Sequence, residues 1–235
     1  LSWSALGISF RGQGLRLFGQ WFLLGSVILC GVAVLQGSYY GISFQPDITF
    51  GKGVFLLSGA LLGGLLIGLL EEIVFRGMSF RMFYTWVKPL PALLLTSLFF
   101  SYAHFKIPDS VWEQTSGQVD WGSGFFVGFW TLFGILPGWD LLIFVNLTLF
   151  GLVLGMLVLR QRSLMGAVGF HAGIVFAILA YTDATTIHQV VAESGRPHWF
   201  WGSGGLRDGF LTTCAFLFSM ALLGFWRGDQ EGQSG

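Results

Sequence analysis

Residues 54–77 read VFLLSGALLGGLLIGLLEEIVFRG, an unbroken apolar run that ends in two glutamates and an arginine. The apolar part from Val54 to Leu70 approaches the roughly 20 residues that a helix needs to cross a bilayer. Carboxylates inside an apolar helix are costly in lipid, so their presence favours a functional interpretation. This stretch therefore predicts a membrane-spanning helix that carries ionisable side chains.

The composition of the whole chain agrees with a membrane protein. Of its 235 residues, 54% are hydrophobic and only 10% are charged, whereas soluble domains carry about a quarter charged residues. A chain so poor in charge cannot cover a water-facing surface, so lipid is expected to be its main solvent. The 12 basic and 12 acidic residues balance, and without a net field no nucleic-acid partner is expected.

Further apolar segments predict further spans, and a shorter aromatic segment, Phe125–Leu136, is interpreted as a re-entrant or interfacial helix. The other predicted spans are Leu17–Gln36, Leu90–His104, Leu141–Leu159, Leu164–Tyr181 and Phe210–Trp226. The expected fold is therefore an all-α polytopic transmembrane helical bundle of about six spans plus one re-entrant or interfacial helix. If Phe125–Leu136 crosses the membrane instead, the topology has seven spans, and this alternative stays open.

The placement of basic residues favours six spans. With six spans the basic clusters all fall on one side of the membrane, namely Arg11/Arg16, Arg76/Arg81/Lys88, Arg160/Arg162 and Arg227. The positive-inside rule makes that side cytoplasmic, and with it both termini. The chain is expected to form a single transmembrane domain over residues 1–235 that ends in a disordered tail at 228–235. The polar stretch Thr182–Asp208 is expected to be a solvated loop.

The motif Glu71-Glu72-x-x-x-Arg76 carries the strongest indication of chemistry. At 3.6 residues per turn, Glu72 and Arg76 share one helix face, while Glu71 points about 100° away. Arg76 can then pair with Glu72 and leave Glu71 to face a cavity as a base. In the alternative interpretation, the helix leaves the membrane near Leu70 and the three charged groups reach the interface as exposed side chains.

Two histidines are expected to reach the depth of these carboxylates. His104 lies about 14 residues after Leu90 and Glu72 lies about 14 before Trp86, so both are roughly 20 Å from the same bend. His171, flanked by apolar residues and glycines, lies roughly 13 Å inward from the basic edge at Arg162. Close packing around such a site is predicted by two pairs of glycines spaced four apart, Gly64/Gly68 and Gly151/Gly155.

Taken together, these motifs resemble a known family. Glu71-Glu72-x-x-x-Arg76, Phe100-x-x-x-His104, the segment 150–155 and His171 occur in the order seen in the CAAX-protease and bacteriocin-processing (CPBP) family. That family comprises intramembrane glutamyl endopeptidases related to the type II CAAX prenyl endopeptidase. The resemblance covers about residues 54–178, the family-like catalytic core. It implies an all-helical fold and a conical cavity open toward the cytoplasmic side. The protein is expected to lie in a bacterial inner membrane.

The resemblance also implies a mechanism that needs neither metal nor another cofactor. Glu71 and His104 would activate a water molecule, Glu72 and Arg76 would support them, and His171 would help to stabilise the oxyanion. The expected substrate is a peptide or membrane protein with a hydrophobic or lipidated end, and the protein is expected to bind it while surrounded by membrane lipids.

One position departs from the family pattern. The family commonly has Asn four residues after the last histidine, where this chain has Val175, whose side chain cannot donate a hydrogen bond. Loss of one oxyanion donor typically costs about 10²–10³ in rate. Asn146, on the preceding span, is a possible source of a substitute amide.

Three alternatives therefore stay open beside the protease. One is a catalytically impaired family member that acts as a membrane adaptor or scaffold for a partner complex. Another is a proton or ion carrier, disfavoured because the ionisable residues cluster at one depth. The third is a zinc enzyme that uses two His and two Glu, although HExxH is absent from the sequence.

Overall fold

The computed structural model describes residues 7–9, 11–104, 141–196, 198–203 and 205–225. Its helices are α1 (Gln13–Tyr40), α2 (Phe50–Glu72), a π-helical segment (Ile73–Ser79), α3 (Phe80–Trp86), α4 (Pro89–Ala103), α5 (Leu141–Gln161), α6 (Met165–Ala184), α7 (Ile187–Ser194) and α8 (Phe210–Phe225). The regular structure of these residues is helical, so the all-α prediction is confirmed. The predicted helix Phe125–Leu136 and the tail 228–235 lie outside the described residues.

The described helices form a bundle that suits a membrane. Four are long and apolar enough to cross one: α1, the continuous helix Phe50–Trp86, α5 and α6. Two of the predicted spans, α4 and α8, are apolar but shorter, with 15 and 16 residues. A helical membrane bundle is therefore confirmed, and α4 and α8 fall short of the usual span of about 20 residues.

The second predicted span continues well beyond Leu70. It begins after Thr49, whose hydroxyl caps the helix by accepting a hydrogen bond from the Lys52 backbone N–H. Lys52 also donates to Asp47 and thereby lowers the pKa of that exposed carboxyl. The helix then runs through the π-helical segment into α3 without a break and stops at Trp86. Such π turns are rare inside helices and are frequent at functional sites; this one begins immediately after Glu72.

Glycines allow the close helix contacts that the sequence predicts. A Cβ on Gly64 would lie 2.6 Å from the carbonyl oxygen of Ala172 in α6, and one on Gly68 would lie 2.9 Å from the Ala172 nitrogen. A Cβ on Gly151 of α5 would lie 3.0 Å from Cα of Ser97 in α4. These approaches are backbone to backbone, so the prediction of close packing at the glycine pairs is confirmed.

A methyl group at Gly64 is therefore expected to destabilise the bundle. Gly64→Ala should cost about 1–3 kcal/mol, the usual cost of overpacking, because α6 would have to move away from α2. Thermal unfolding in detergent measures this as a lower Tm. Gly59→Ala on the same helix is the matched control, since a Cβ there meets nothing within 4 Å. An equal Tm for both variants would contradict the close approach of α2 and α6.

Contacts between neighbouring helices fix their relative directions. α4 is antiparallel to α5, because Ser101 contacts Phe144 and Ser97 contacts Gly151. α8 is parallel to α5, because Thr213 contacts Asn146 and Phe216 contacts Phe150. α6 is parallel to α1, because Gly169 lies next to Phe18 and Tyr181 next to Gly37. α6 is antiparallel to α2, because Ala172 lies next to Gly68 and Leu179 next to Gly63. The first residues of α1 and the last residues of α3 and α5 consequently lie at the same end of the bundle.

These directions give the bundle two chemically different ends. The basic end is defined by Arg11, Arg16, Arg81, Lys88, Arg160 and Arg162. The opposite end is defined by the described parts of the segments 41–49 and 185–209, which are joined by a backbone hydrogen bond from the Thr186 N–H to the Ser43 carbonyl. Ala103 and Leu141, which lie on either side of residues 105–140 in the sequence, also lie at the opposite end.

The stretch expected to be a solvated loop, Thr182–Asp208, is partly helical, so that prediction is wrong in part. α6 extends to Ala184 and α7 follows after two residues. Ile187 and Val191 are one turn apart on α7 and are both buried, which makes this short helix amphipathic and holds it against the bundle. Trp201 stacks on Tyr39 of α1 with ring centroids 4.6 Å apart.

Candidate functional site

Glu71, His104 and His171 meet between three helices. Oε2 of Glu71, near the end of α2, lies 3.3 Å from Nε2 of His104 and 3.7 Å from Nε2 of His171. His104 is the residue that ends α4, and His171 lies in the first half of α6. The carboxylate and the two imidazoles therefore share one depth in the bundle, as the sequence predicts.

Hydrogen bonds fix which nitrogen of each imidazole carries a proton. Nδ1 of His104 lies 2.8 Å from the Phe100 carbonyl oxygen, and Nδ1 of His171 lies 2.9 Å from Oε1 of Glu72. A carbonyl oxygen and an ionised carboxylate only accept hydrogen bonds, so both Nδ1 atoms donate. Each ring consequently presents Nε2 to Glu71, as a donor when the ring is protonated and as an acceptor when it is neutral.

Arg76 and Glu72 form a buried ion pair beside this cluster. Nη1 of Arg76 donates to Oε1 of Glu72 over 2.8 Å, and the two side chains are 1% and 0% exposed. Nη2 of Arg76 donates to the Gly151 carbonyl over 3.0 Å, and the guanidinium lies 4.6 Å from the centre of the Phe100 ring. The predicted pairing is present. Such burial contradicts the alternative in which these charged groups lie exposed at the membrane interface.

Glu72 thus joins a cation and an imidazole through one oxygen atom. Its Oε1 contacts both Arg76 Nη1 and His171 Nδ1. In the described part of the chain, its Oε2 and the Oε2 of Glu71 are buried and accept no aligned hydrogen bond. The Nε2 atoms of His104 and His171 therefore lie within ion-pair distance of the Glu71 carboxylate, but neither forms a well-aligned hydrogen bond with its Oε2 atom.

A cavity of about 420 Å³ leads to the cluster. Glu71 and His104 reach it with side chains that are 28% and 23% exposed. Its walls are mainly apolar and come from α2, α4, α5, α6 and α8, for example Ile67, Phe100, Phe150, Ile174 and Phe216. The volume falls in the usual range of about 300–1,000 Å³ for ligand sites, and the apolar walls suit a hydrophobic peptide segment.

Two aromatic side chains hold the imidazoles in place. The Phe100 ring packs on His104 with centroids 4.3 Å apart, and the Phe150 ring meets His171 edge to face at 5.0 Å. The Phe100 and Gly151 carbonyls also act at the site, as acceptors for His104 and Arg76. Sequence reasoning missed these backbone acceptors. The four-residue spacing of Phe100 and His104 could have indicated the Phe100 carbonyl as an acceptor. No feature of the sequence near Gly151 indicated that its carbonyl would accept from Arg76.

Asn146 lines the cavity, but its amide is engaged elsewhere. Nδ2 donates to the Arg207 and Gly209 carbonyls over 3.0 and 3.2 Å, and Oδ1 accepts from Thr213. The structure therefore brings together five of the six predicted site residues. The amide of the sixth, Asn146, is hydrogen-bonded to the segment that precedes α8. Its support of an oxyanion stays a prediction. Val175 lines the same cavity one turn after His171.

His188 and Arg207 also line the cavity, at the opposite end of the bundle. Sequence analysis assigned both to a solvated loop because no ligand spacing or periodicity links them to the Glu71 motif.

Within the described ranges, no group of three or more His, Cys, Asp or Glu side chains has the arrangement of metal ligands. Nε2 of His104, Nε2 of His171 and the Glu71 carboxylate are the groups closest to such a role, because each Nδ1 is already engaged in a hydrogen bond.

The fold and the site define an integral membrane protein in which a carboxylate and two imidazoles converge on an internal cavity. The family model described as "Type II CAAX prenyl endopeptidase Rce1-like" matches residues 53–177, which is more than half of the chain. The chain belongs to this family of membrane proteases. This confirms the resemblance predicted over about residues 54–178. Searches of curated proteins and of solved structures found no match.

Proposed function

We propose that the protein is a membrane-embedded endopeptidase in which Glu71 and the histidines hydrolyse a peptide bond with water. The observation that carries this proposal is the position of the Glu71 carboxylate, which faces Nε2 of both His104 and His171 at the base of an apolar cavity. A base of this kind works when it lies within hydrogen-bond reach of the proton that it removes.

The reaction begins with a water molecule held between Glu71 and His104. Glu71 accepts one proton, and the oxygen attacks the carbonyl carbon of the peptide bond to give a tetrahedral intermediate. The C–N bond then breaks, and the proton taken from water passes to the departing amine. His104 orients the water through Nε2, since its Nδ1 proton is held by the Phe100 carbonyl.

The other three residues position this pair and stabilise charge. His171, when protonated, donates from Nε2 to the oxyanion while its Nδ1 stays bonded to Glu72. Glu72 stabilises that imidazolium, and Arg76 holds the Glu72 carboxylate in place through the buried ion pair. Because Val175 offers no donor, the oxyanion is stabilised mainly by His171.

The proposed substrate is a peptide or membrane protein that presents a hydrophobic or lipidated segment. The mainly apolar walls of the cavity support this class. We also propose a bacterial inner membrane as the location, with both termini in the cytoplasm, because the basic end then obeys the positive-inside rule.

Loss of the His104 imidazole is expected to lower kcat/KM by about 10²-fold, the lower end of the range for general acid–base groups. His104→Ala should do so without changing Tm, since the side chain is partly exposed to the cavity. The assay follows cleavage of a peptide library by purified protein in liposomes. His198→Ala is the matched control, because His198 contacts Tyr40 and is not among the residues that line the cavity.

Two results would contradict the mechanism. Equal activity of His104→Ala and His198→Ala would remove His104 from the reaction. Loss of wild-type activity in a chelator, with recovery on added zinc, would replace the metal-free mechanism with the zinc alternative.

A second candidate function is a membrane adaptor that keeps the family fold without cleaving peptides. It is favoured by Val175, which places an apolar side chain on the cavity wall one turn after His171. An adaptor would co-purify with a membrane-protein partner, would cleave no peptide in the library, and would gain no activity from Val175→Asn. Cleavage by the wild-type protein excludes this function as the sole one.

A further inference from the structure

The wall of the cavity carries one acidic and one basic side chain besides its histidines. Among the described residues that line the cavity, Glu71 is the acidic one and Arg207 is the basic one. Glu71 belongs to the proposed catalytic cluster, whereas Arg207 lies in the segment that precedes α8. A guanidinium keeps its charge at any pH at which proteins are folded. The mainly apolar cavity therefore contains a permanent cation that the proposed reaction does not use.

Arg207 differs from the other arginine of the site in its surroundings. Arg76 is buried and is paired with Glu72. The Arg207 side chain is exposed, and in the described part of the chain no carboxylate forms an ion pair with it. His188 also lines the cavity, and its protonation would only add positive charge. Arg207 is thus a cation of the cavity wall that can bind an anion brought by a ligand.

Buried polar groups hold the backbone that carries Arg207. The Asn146 amide donates to the carbonyls of Arg207 and Gly209. The Thr212 hydroxyl donates to the Leu206 carbonyl. Asn146 and Thr212 are each 1% exposed, and hydrogen bonds are stronger where water is excluded. The backbone on either side of Arg207 is therefore fixed, although its side chain is exposed.

The residue before Arg207 has a strained backbone. Leu206 adopts the left-handed conformation, with φ of 54°. Residues other than glycine adopt this conformation at a cost, and such residues cluster at functional sites where the surrounding structure holds them. Leu206 is 1% exposed, so burial of its side chain offsets part of that cost. The strained turn places Leu206 and Arg207 together on the cavity wall.

Arg207 lies near enough to the catalytic cluster to contact the same peptide. Its carbonyl oxygen is 3.0 Å from Nδ2 of Asn146. Asn146 precedes Phe150 by about one turn of α5, or roughly 6 Å, and the Phe150 ring is centred 5.0 Å from the His171 ring. An extended peptide advances about 3.3 Å per residue. A group bound to Arg207 is therefore separated by a few residues from a peptide bond held at Glu71.

We infer that Arg207 determines substrate specificity by binding a carboxylate of the peptide, a few residues from the bond that is cleaved. A guanidinium matches a carboxylate with two parallel hydrogen bonds. The Glu71 carboxylate repels the same group, so the two charges together orient the peptide in the cavity. This inference rests on the proposed function, because it requires a peptide at Glu71. The carboxylate is either the C terminus of the peptide or an Asp or Glu side chain.

Peptide binding in the absence of cleavage tests this role. The reference probe is a short, fluorescently labelled apolar peptide with a C-terminal carboxamide. One related probe has a free C-terminal carboxylate. The others keep the carboxamide and carry a glutamate at each position in turn, with glutamine there as the uncharged match. Fluorescence anisotropy in detergent gives Kd for the wild type, Arg207→Gln and Arg196→Gln. Arg196 is the matched control, because it is exposed at the same end of the bundle and is not among the described residues that line the cavity.

The wild type and Arg196→Gln should bind at least one carboxylate probe about 10–100-fold more tightly than its uncharged match, the usual effect of a hydrogen bond to a charged group. Arg207→Gln should bind both with the affinity that the wild type has for the uncharged probe. Preference for the free C terminus identifies a C-terminal carboxylate, and preference for a glutamate probe identifies an acidic side chain.

Three results would overturn the inference. The first is equal binding of every carboxylate probe and its uncharged match by the wild type. The second is a preference that persists in Arg207→Gln. The third is loss of binding to the uncharged probes in both Arg207→Gln and Arg207→Lys, which would assign Arg207 to folding. Arg207→Lys keeps the charge without the planar fork of the guanidinium, so it should retain part of the preference.

Binding does not require catalysis, so this inference and the proposed function can fail separately. A protein that shows the Arg207-dependent preference but cleaves no peptide would keep the carboxylate site and lose the peptidase function. Cleavage with equal kcat/KM for every carboxylate substrate and its uncharged match would keep the peptidase and overturn the role of Arg207.

Discussion

Replacement of Glu71 by glutamine is expected to lower peptide cleavage by about 10⁴-fold, the upper end of the range for a general acid–base group. Glutamine has almost the same size but cannot accept the proton of water. Both Nε2 atoms of His104 and His171 face this one carboxylate, so no other described acid can take its place. The measurement is kcat/KM in liposomes, together with Tm in detergent, which should stay close to that of the wild type.

Glu193→Gln is the matched control for this experiment. Glu193 is an exposed glutamate on α7 that accepts a hydrogen bond from Gln189, so the same chemical change there should leave cleavage intact. If Glu71→Gln and the wild type cleave equally well, the proposed water activation is wrong. If both Gln variants lose activity together with Tm, the loss reflects folding and not chemistry.

Removal of the Glu72 carboxylate is expected to destabilise the fold by about 3–5 kcal/mol, because it leaves a buried cation without its partner. Glu72→Ala deprives Arg76 of its ion pair and His171 of the acceptor for Nδ1–H. The protein should aggregate or unfold at a much lower temperature in detergent. Size-exclusion chromatography and thermal unfolding measure both effects.

A double variant distinguishes the cost of an unpaired buried charge from the general cost of replacing these side chains. Glu72→Ala combined with Arg76→Met removes both charges, and apolar replacements of buried pairs are often neutral or stabilising. Tm should therefore recover in the double variant, while cleavage should not. Full stability of Glu72→Ala alone would contradict the burial of this pair.

The parts of this protein that could be predicted from sequence depend on local spacing. The apolar run before Glu71 predicts a helix, and the four-residue spacing of Glu72 and Arg76 predicts their pairing. The glycine pairs predict close helix contacts because a missing Cβ is a property of the residue itself. The meeting of Glu71 with His104 and His171 followed from equal depth along neighbouring helices.

The parts that could not be predicted depend on partners distant in sequence. Asn146 donates to the Arg207 and Gly209 carbonyls, which lie more than sixty positions away. Nothing in the neighbourhood of Asn146 indicates these acceptors. The direction of the cavity likewise depends on how α7 and the segment before α8 fold back over the end of α6. The π-helical segment was missed because its residues individually suit an ordinary α-helix.

That π-helical segment imposes a requirement on its own sequence. A widened turn disturbs the regular pairing of backbone groups, and hydrocarbon provides no water to replace a missing donor. The Ser79 hydroxyl donates to the Val74 carbonyl, five residues earlier, over 3.0 Å. A lipid-facing helix can thus carry the buried Arg76 on an irregular stretch where a side-chain hydroxyl adds a hydrogen bond to the backbone.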